Sequence, residues 1–261
     1  MKKILAISFV FLTFSVLLAV FANTQIEPPV IEWNRSYGGN NREEARCAWQ
    51  TLNGECYVAG STNSFGAGSY DMWLIKTDWE GNVLWSKTYG GPNDDRANSG
   101  KATADGGCIL LGRVGYVGPW GFEGDIWLVK VDSSGNIEWD KTYGTSYQDQ
   151  GYDVVLTNDG GFAFVGETGG HSDNSDTYDS WLIKTDFNGN EEWHKSYGQP
   201  SNYDCLTTLE QTSDGGYILA GATGRTASAW DLWLLKTDSD GNVLWSKTFD
   251  KSQYDHAFSI A

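Results

Sequence analysis

The amino-acid sequence predicts an all-β fold, a β-propeller of four-stranded antiparallel blades with about four complete blades and an incomplete fifth. A segment of the form Asp-x-Trp-Leu-x-Lys-x-Asp-x-x-Gly-Asn recurs four times with a period of 52–54 residues, which is typical of a repeat array. The chain combines 13 Trp and 32 Gly with only 5 Pro, a composition that favours many short strands joined by tight turns. No stretch has the 3.6-residue periodicity of a helix.

Each repeat divides into four strands, here called A to D. Strand A is expected at about 45–51, 97–103, 151–157, 206–212 and 257–261, and strand B at 56–60, 108–112, 162–166 and 217–221. Strand C is the Trp-Leu-x-Lys core of the recurring segment, whose copies begin at Asp71, Asp125, Asp179 and Asp231. Strand D ends in a tail of the form Trp-x-Lys/Arg-Ser/Thr-aromatic that starts at Trp33, Trp85, Trp139, Trp193 and Trp245. Strands B and C are apolar at consecutive positions, which indicates sheets covered on both faces, as in stacked blades.

The turns between these strands have their own chemistry. Asp-Gly-Gly segments are expected to join strands A and B, and Asp-x-x-Gly-Asn segments to join strands C and D. Asp accepts local backbone hydrogen bonds, and Gly or Asn adopts the positive φ that such turns require. Both segments therefore predict tight hairpins.

The number of predicted strands does not complete a closed ring of blades. A lone strand D is expected at 31–37 and a strand A fragment at 257–261, so strands B and C of a fifth blade are missing. A truncated fragment of a larger propeller, an open array and a blade completed by a partner chain all fit this count. Unpaired edge strands invite association, which predicts self-association through these edges.

The N-terminal residues predict export. Lys2 and Lys3 precede an apolar run over 4–21, and small or apolar residues stand before a cleavage position after Ala22. Residues 1–22 therefore form a predicted signal peptide, 23–30 a short linker, and 31–261 the propeller repeat domain. The alternative is an uncleaved anchor. The signal peptide predicts a location outside the cell or at the cell surface, and no membrane span is expected in the mature chain.

The net charge limits the kinds of partner that the chain can bind, and the cysteine content bears on disulfide formation. The chain carries 34 acidic against 18 basic residues, a formal net charge of −16, which argues against nucleic acid and favours solubility or cation binding. The four cysteines, Cys47, Cys56, Cys108 and Cys205, are even in number but follow no disulfide framework. In a hairpin turning at 53–54, Cys47 would lie opposite position 60 rather than Cys56.

The repeat resembles a known group of sequences. Asp-Gly-Gly-Tyr-Ile-x-Ala-Gly followed by Asp-x-Trp-Leu-x-Lys-Thr-Asp-x-x-Gly-Asn-x-x-Trp is similar to the β-propeller repeat families of secreted and cell-surface proteins of archaea and bacteria. The resemblance covers 31–261 and implies a role in surface interaction. The Asp-x-x-Gly-x-x-x-Trp portion also resembles the tryptophan-docking motif of quinoprotein propellers, which implies an oxidoreductase as an alternative.

Aromatic residues in the variable loops between strands B and C predict a binding rim. These loops run over 61–71, 113–125, 167–179 and 222–231 and differ in every repeat. Aromatic side chains in polar loops on a rigid scaffold are typical of binding faces. The alternative is that the rings fold back over the blade tops. The candidate ligand-binding residues are Phe65, Tyr70, Tyr116, Trp120, Phe122, Tyr178 and Trp230.

Two sets of acids are candidate Ca²⁺ ligands, since calcium prefers six to eight oxygen atoms. One acid stands where the chain enters each strand A, so that a ring near the axis is expected; the alternative is that each caps its own turn. The ring consists of Glu43, Asp95, Asp149, Asp204 and Asp255. The second set, Asp173, Asp176 and Asp179, lies in one loop.

The sequence predicts no catalytic site. The three His are not paired at zinc-ligand spacing, and no Gly-x-Ser-x-Gly or phosphate-binding Gly loop occurs. The favoured hypothesis is an exported, non-catalytic surface module that binds a protein or a glycan. The alternatives are a propeller enzyme, either a quinoprotein-like oxidoreductase or a glycosidase or lyase using rim carboxylates, and a fragment of a larger propeller. No cofactor is firmly implied, with Ca²⁺ as a candidate.

Overall fold

The structure, a computed structural model, describes residues 33–51, 53–117, 124–169, 178–198, 203–224, 230–249 and 255–260. The expected signal peptide and linker lie outside these residues. The chain divides into two units, Met1–Asn34 and Arg35–Ala261. Trp33 and Asn34, the described residues of the first unit, form no regular secondary structure. Within the described ranges, no helix is long and apolar enough to span a bilayer.

The described part of the second unit is all-β, with sixteen strands in four four-stranded antiparallel sheets arranged like propeller blades. In every blade the strands lie in the order A, B, C, D. Blade 1 comprises β1 (Glu43–Gln50), β2 (Cys56–Thr62), β3 (Asp71–Thr77) and β4 (Val83–Tyr89); blade 2 comprises β5 (Asp94–Ala102), β6 (Cys108–Tyr116), β7 (Asp125–Val131) and β8 (Ile137–Tyr143). Blade 3 comprises β9 (Asp149–Leu156), β10 (Phe162–Gly169), β11 (Tyr178–Thr185) and β12 (Glu191–Tyr197); blade 4 comprises β13 (Cys205–Gln211), β14 (Tyr217–Thr223), β15 (Asp231–Thr237) and β16 (Val243–Phe249).

Each strand A contains a β-bulge opposite a glycine of strand B. In blade 2, Ala97 pairs with Gly112 and Ser99 with Leu111, so that Asn98 is the extra, unpaired residue. A Cβ atom on Gly112 would lie 1.8 Å from the carbonyl oxygen of Arg96, so only glycine fits beneath the bulge. The same register shift leaves one extra residue in every blade, and the four bulge residues are Arg46, Asn98, Tyr152 and Thr207.

The turns between strands C and D are hairpins, as predicted. The carboxylate of Asp78 accepts hydrogen bonds from the backbone N–H groups of Glu80 (2.9 Å) and Asn82 (2.8 Å). Gly81 adopts a φ of 79°, which L-amino acids with side chains rarely adopt. The equivalent turns that begin at Asp132, Asp186 and Asp238 are built in the same way.

Each blade packs on the next through apolar side chains, and a tyrosine hydrogen bond recurs at each of these interfaces. Between blades 1 and 2, Tyr57 and Leu74 join Leu110 and Val129 in one buried cluster. At the edge of each such interface the tail tyrosine of strand D donates its hydroxyl hydrogen to a glycine carbonyl in the C–D turn of the following blade. These contacts, here called tyrosine latches, join Tyr89 to Gly135 (2.8 Å), Tyr143 to Gly189 (2.6 Å) and Tyr197 to Gly241 (2.7 Å).

The two segments that the sequence predicts as parts of a fifth blade keep the contacts of strands without forming regular strands. The hydroxyl of Tyr37 donates to the Gly81 carbonyl (2.8 Å), as a latch of a preceding blade would. The N–H of Asp255 donates to the Trp230 carbonyl (2.9 Å), as Asp95 does to Tyr70 (2.7 Å). In the described residues 35–37 and 255–260, neither segment pairs with a strand B or C of its own, and so neither forms a ladder. This agrees with an incomplete fifth blade.

The repeated tryptophans and the cysteines lie mostly inside. Trp127 and Trp233 of strand C are buried between blades, and Trp73 is buried beside the segment of Arg35 and Tyr37. All four cysteines are free thiols, and Cys47 pairs with Ala59 rather than Cys56, close to the expected position. Burial raises the pKa of the Cys47 thiol to about 12, which suppresses its reactivity.

Candidate functional site

The A strands surround a cavity of about 830 Å³. Because strand A is the innermost strand of every blade, all four blades reach this cavity, as does the segment 255–260. All four bulge residues line it, so the bulges, which the glycines of strand B permit, aim one extra side chain per blade toward the axis. The described lining residues are Arg46, Asn98, Gln150, Tyr152, Tyr203, Cys205, Thr207, Trp230, His256 and Phe258.

Asp153 ties three of the A strands together one residue beyond the bulge of blade 3. Its carboxylate accepts a hydrogen bond from the Ser99 hydroxyl of blade 2 (2.7 Å). It also accepts one from the Thr208 hydroxyl of blade 4 (3.0 Å) and one from the Leu209 N–H (3.3 Å). These bonds fix the spacing of the strands that carry the bulge residues, and so they preorganise the cavity.

The cavity wall is aromatic and amide-rich. None of its described lining residues is an Asp or a Glu, although the chain as a whole is strongly acidic. The hydroxyl of Tyr203 donates to the Glu167 carboxylate (2.6 Å), which orients its ring. Burial raises the pKa of Tyr152, and the nearby Glu167 carboxylate adds to the effect, so this phenol stays protonated. Such a wall can stack on the apolar face of a ligand while Asn98 and Gln150 form hydrogen bonds to its polar groups.

An arginine network lies at the start of the A strands of blades 1 and 2. Arg96 binds the Asp94 carboxylate with two hydrogen bonds of 2.7 Å, and Arg113 donates to the same carboxylate (3.1 Å). Arg46 pairs with Glu44 (2.9 Å). Burial would raise the pKa of Asp94, but the hydrogen bonds and positive charges of Arg96 and Arg113 lower it. Arg46 thus brings a half-exposed positive charge to the cavity.

The described members of the predicted rim aromatics lie in separate ring contacts. The Arg96 guanidinium stacks on the Tyr70 ring at 3.9 Å and that of Arg113 on the Tyr116 ring at 4.4 Å. The Phe65 ring lies 5.8 Å from Trp73, Tyr178 lies 5.0 Å from Tyr203, and Trp230 lies 5.7 Å from His256. Of the described members, Trp230 lines the axial cavity and Tyr178 contacts a residue that does. Trp120 and Phe122 lie outside the described residues.

The predicted acidic ring is distributed over separate blade junctions. Asp95 accepts hydrogen bonds from the N–H groups of Gly91 and Gly115 (both 2.6 Å), and Asp149 accepts one from the Thr145 N–H (2.6 Å). The remaining members make similar local contacts: Asp204 with Thr223 and Gly224, Glu43 with Thr62, and Asp255 with Trp230 through its backbone N–H. In the four blades, each of these acids therefore fastens the start of a strand A to a neighbouring loop or to the end of strand B.

No metal cage is visible in the described ranges. There, no group of three or more His, Cys, Asp or Glu side chains is placed to hold a metal ion. Asp173 and Asp176 lie outside these ranges, so the calcium hypothesis for their loop stays a prediction. Asp179, the third member, belongs to β11.

Sequence reasoning missed the axial cavity and the arginine network. Its residues differ in type from blade to blade, so no repeated motif marks them. The available signals were the glycine that ends each predicted strand B, which indicates a bulge opposite it, and the arginines 42, 46, 96 and 113 in an acidic chain.

The fold defines a protein of the propeller class, with a cavity lined by the A strands of its four blades. No family model matches the chain. A segment of 162 residues is 28% identical to the regulatory protein FlaEY of Caulobacter vibrioides, which covers 53% of this chain and 17% of the length of FlaEY.

Among solved structures, an endo-arabinase from Bacteroides thetaiotaomicron aligns over 76% of this chain and 77% of its own, with 10% identity and a TM-score of 0.46. A protein of unknown function from Bacteroides caccae aligns over 82% and 84%, with 11% identity and a TM-score of 0.35. The tail fiber of Staphylococcus aureus phage P68 aligns over 83% and 42%, with 9% identity and a TM-score of 0.32. Similarity at this level is compatible with many unrelated activities.

Proposed function

We propose that this chain is an exported, non-catalytic binding module that acts outside the cell or at its surface and holds a saccharide in the axial cavity. The observation that carries the proposal is the cavity wall, which is aromatic, rich in amides and, among the described residues, free of acids. The signal-like N-terminus and the resemblance of the repeat to secreted propeller repeats support the location.

The cavity suits a saccharide in size and chemistry. A volume of about 830 Å³ falls in the range of small-molecule sites, which are mostly concave and apolar with a few placed polar groups. Sugar rings present C–H faces that pack on aromatic rings and hydroxyl groups that exchange hydrogen bonds with amides. Phe258, which is 82% exposed, offers such a ring at the edge of the cavity.

The charge of the cavity favours a neutral or anionic saccharide. Among the described lining residues, Arg46 is the side chain that carries a permanent positive charge. An anionic ligand would be repelled by most of the surface of this acidic chain but attracted here, because charge acts strongly over short distances.

The catalytic alternative has less support. A glycosidase needs two carboxyl groups facing the substrate. Asp149 and Asp204, two members of the acidic ring that could serve as such a pair, are buried and engaged in hydrogen bonds to neighbouring loops, and neither lines the cavity.

A glycan array probed with the fluorescently labelled chain tests the proposal, followed by calorimetric titration of the saccharides that bind. Phe258→Ala and Arg46→Gln should each weaken binding at least about fivefold, because they remove a stacking face or the positive charge. Phe187→Ala is the matched control, since Phe187 is a 67% exposed ring of the C–D turn in blade 3, away from the described cavity lining.

The proposal fails if no saccharide binds, or if Phe187→Ala weakens binding as much as Phe258→Ala. Export is tested separately by determining the N-terminal residue of the mature protein. Cleavage after Ala22 is expected, and an intact Met1 would contradict it.

A further inference from the structure

The arginine network beside the axial cavity carries more positive than negative charge. Three guanidinium groups share two carboxylates among its described ion pairs: Arg46 pairs with Glu44, Arg113 pairs with Asp94, and Arg96 pairs with both acids. Arg96 lies 2.7 Å from the Asp94 carboxylate and 3.6 Å from that of Glu44. One positive charge of these three is therefore left without a counter-charge.

The surplus charge lies largely out of contact with water. The side chains of Arg96 and Arg113 are only 19% and 14% exposed, and Nε of Arg113 is buried without a hydrogen-bond partner among the described residues. Burying a charge costs free energy unless an opposite charge or hydrogen bonds compensate for it. Arg42, which also pairs with Glu44, is 72% exposed, so water compensates for its charge. The buried part of the network is therefore able to take up an anion.

The network reaches the axial cavity at two points. Arg46 lines the cavity directly and is half-exposed. Gln150 also lines it, and its side-chain oxygen accepts a hydrogen bond from Nη1 of Arg113 (3.2 Å), so this second guanidinium group lies directly behind the wall. Charges at such short distances act strongly where water is excluded. The two arginines therefore give the cavity a local positive potential, in a chain whose formal net charge is −16.

Aromatic rings hold the buried guanidinium groups in place. That of Arg96 lies 3.9 Å from the centre of the Tyr70 ring, and that of Arg113 lies 4.4 Å from the centre of the Tyr116 ring. A guanidinium group that is already fixed by stacking loses little conformational entropy when a ligand binds. The positive side of the cavity is thus preorganised before an anion arrives.

We infer that the axial cavity binds a negatively charged saccharide, whose carboxylate or sulfate group lies against Arg46 and is stabilised further by Arg113 behind Gln150. This inference rests on the proposed saccharide binding and narrows it to acidic sugars. Both anionic groups match the planar fork of a guanidinium group. The C–H face of the same sugar remains free to stack on the aromatic wall.

An array of matched glycans, followed by calorimetric titration of those that bind, tests the inference. Each backbone of galactose, glucose or N-acetylglucosamine is presented in a neutral form, with a uronic acid and with a sulfate ester. At least one acidic form should bind about tenfold more tightly than its neutral form, and the difference should shrink when NaCl is raised from about 0.02 M to about 0.5 M. The two acidic forms distinguish a carboxylate ligand from a sulfate ligand.

The array separates failure of this inference from failure of the proposed function. If neutral glycans bind and their acidic forms bind no more tightly, the inference is wrong and saccharide binding stands. If no glycan binds in any form, both are wrong.

Three variants test the role of the charge. Arg46→Gln should bring the affinities for acidic and neutral forms within about twofold of each other. Glu44→Gln should tighten binding of the acidic form about threefold and leave the neutral form unchanged, because it removes a compensating charge but keeps a hydrogen-bond acceptor for Arg46. Lys247→Gln is the matched control, since it makes the same change in net charge as Arg46→Gln on the exposed outer strand of blade 4, and it should alter neither affinity.

Two results with these variants would overturn the inference. Equal weakening of acidic and neutral forms by Arg46→Gln would mean that Arg46 acts through contact and not through its charge. Weaker binding of the acidic form by Glu44→Gln, in a variant whose circular dichroism spectrum matches that of wild type, would mean that the network serves only to fasten the strands.

Discussion

The lysine of strand C forms ion pairs with two carboxylates at once in blades 2 and 3. Lys184 is almost buried and pairs with Asp159 of the A–B turn and Glu192 of strand D, at 2.8 Å each. Lys130 makes the same two pairs with Asp105 and Glu138, at 2.7 Å each. One ammonium group therefore joins three strands of a blade at the end opposite the aromatic rim.

These pairs give the stability a definite dependence on pH. Burial would raise the pKa of Asp159, but hydrogen bonds from Lys184, Thr157 and the Gly161 N–H outweigh it and set the pKa at about 2. An unfolded Asp titrates near about 3.9, so the folded state holds its charge to lower pH. The stabilisation is therefore complete above about pH 4 and is lost as the pH falls through about 2. Asp159→Asn should be less stable than wild type at pH 7, and the difference should shrink across that window, as measured by urea unfolding.

Asp125→Asn is the control, because the opposite change in the free energy of unfolding is expected for it. Burial alone raises the pKa of Asp125, and so its charge opposes folding above that raised pKa. The Asn variant should be more stable than wild type at pH 7 and lose this advantage as the pH falls and the wild-type carboxyl group becomes protonated. If both variants shifted the acid transition in the same direction, the electrostatic account of these two sites would be wrong.

At the scale of the element, the pairing of a bulge in strand A with a glycine in strand B decides both stability and the binding cavity. The glycine gives the bulge room, and the bulge aims a side chain at the axis. Gly112→Ala would place its Cβ 1.8 Å from the Arg96 carbonyl oxygen. Because backbone must move to relieve this contact, we expect a loss of about 3 kcal/mol or more in the free energy of unfolding, measured with urea.

Gly91→Ala is the matched control, since a Cβ at that position meets no atom within 4 Å. Its free energy of unfolding should stay within about 0.5 kcal/mol of wild type. An equally mild effect of Gly112→Ala would show that the strand pair relaxes freely, and that the bulge is not required.

Sequence reasoning worked best for elements with strong local signals. Strands B and C were placed within a few residues, because apolar runs bounded by Asp-Gly turns leave little choice. Strand A was expected to start at 97 in blade 2 but starts at Asp94, since its first residues are polar and pair through contacts with loops distant in sequence. The cavity could not be predicted in the same way, because it depends on which blades meet at the axis and on bulges that no single repeat reveals.

At the scale of the whole molecule, stability should vary along the stack of blades. Each blade is held chiefly by its neighbours, so a blade with a neighbour on both faces opens less often than one at an end. β16 is exposed along its entire length, whereas β8 and β12 end in buried tyrosines. We expect the amides of β16 to exchange with deuterium faster than those of β8 and β12, as measured by mass spectrometry. Uniform exchange in the three strands would indicate that the blades open together.

The tyrosine latches all run in one direction, from a blade to the one after it. Blades 1, 2 and 3 each carry a donor for the blade that follows, and the C–D turn of every blade carries an acceptor, so a duplicated or deleted repeat among them leaves matched chemistry at the new junction. Repeat number can then change in evolution without a new interface having to arise.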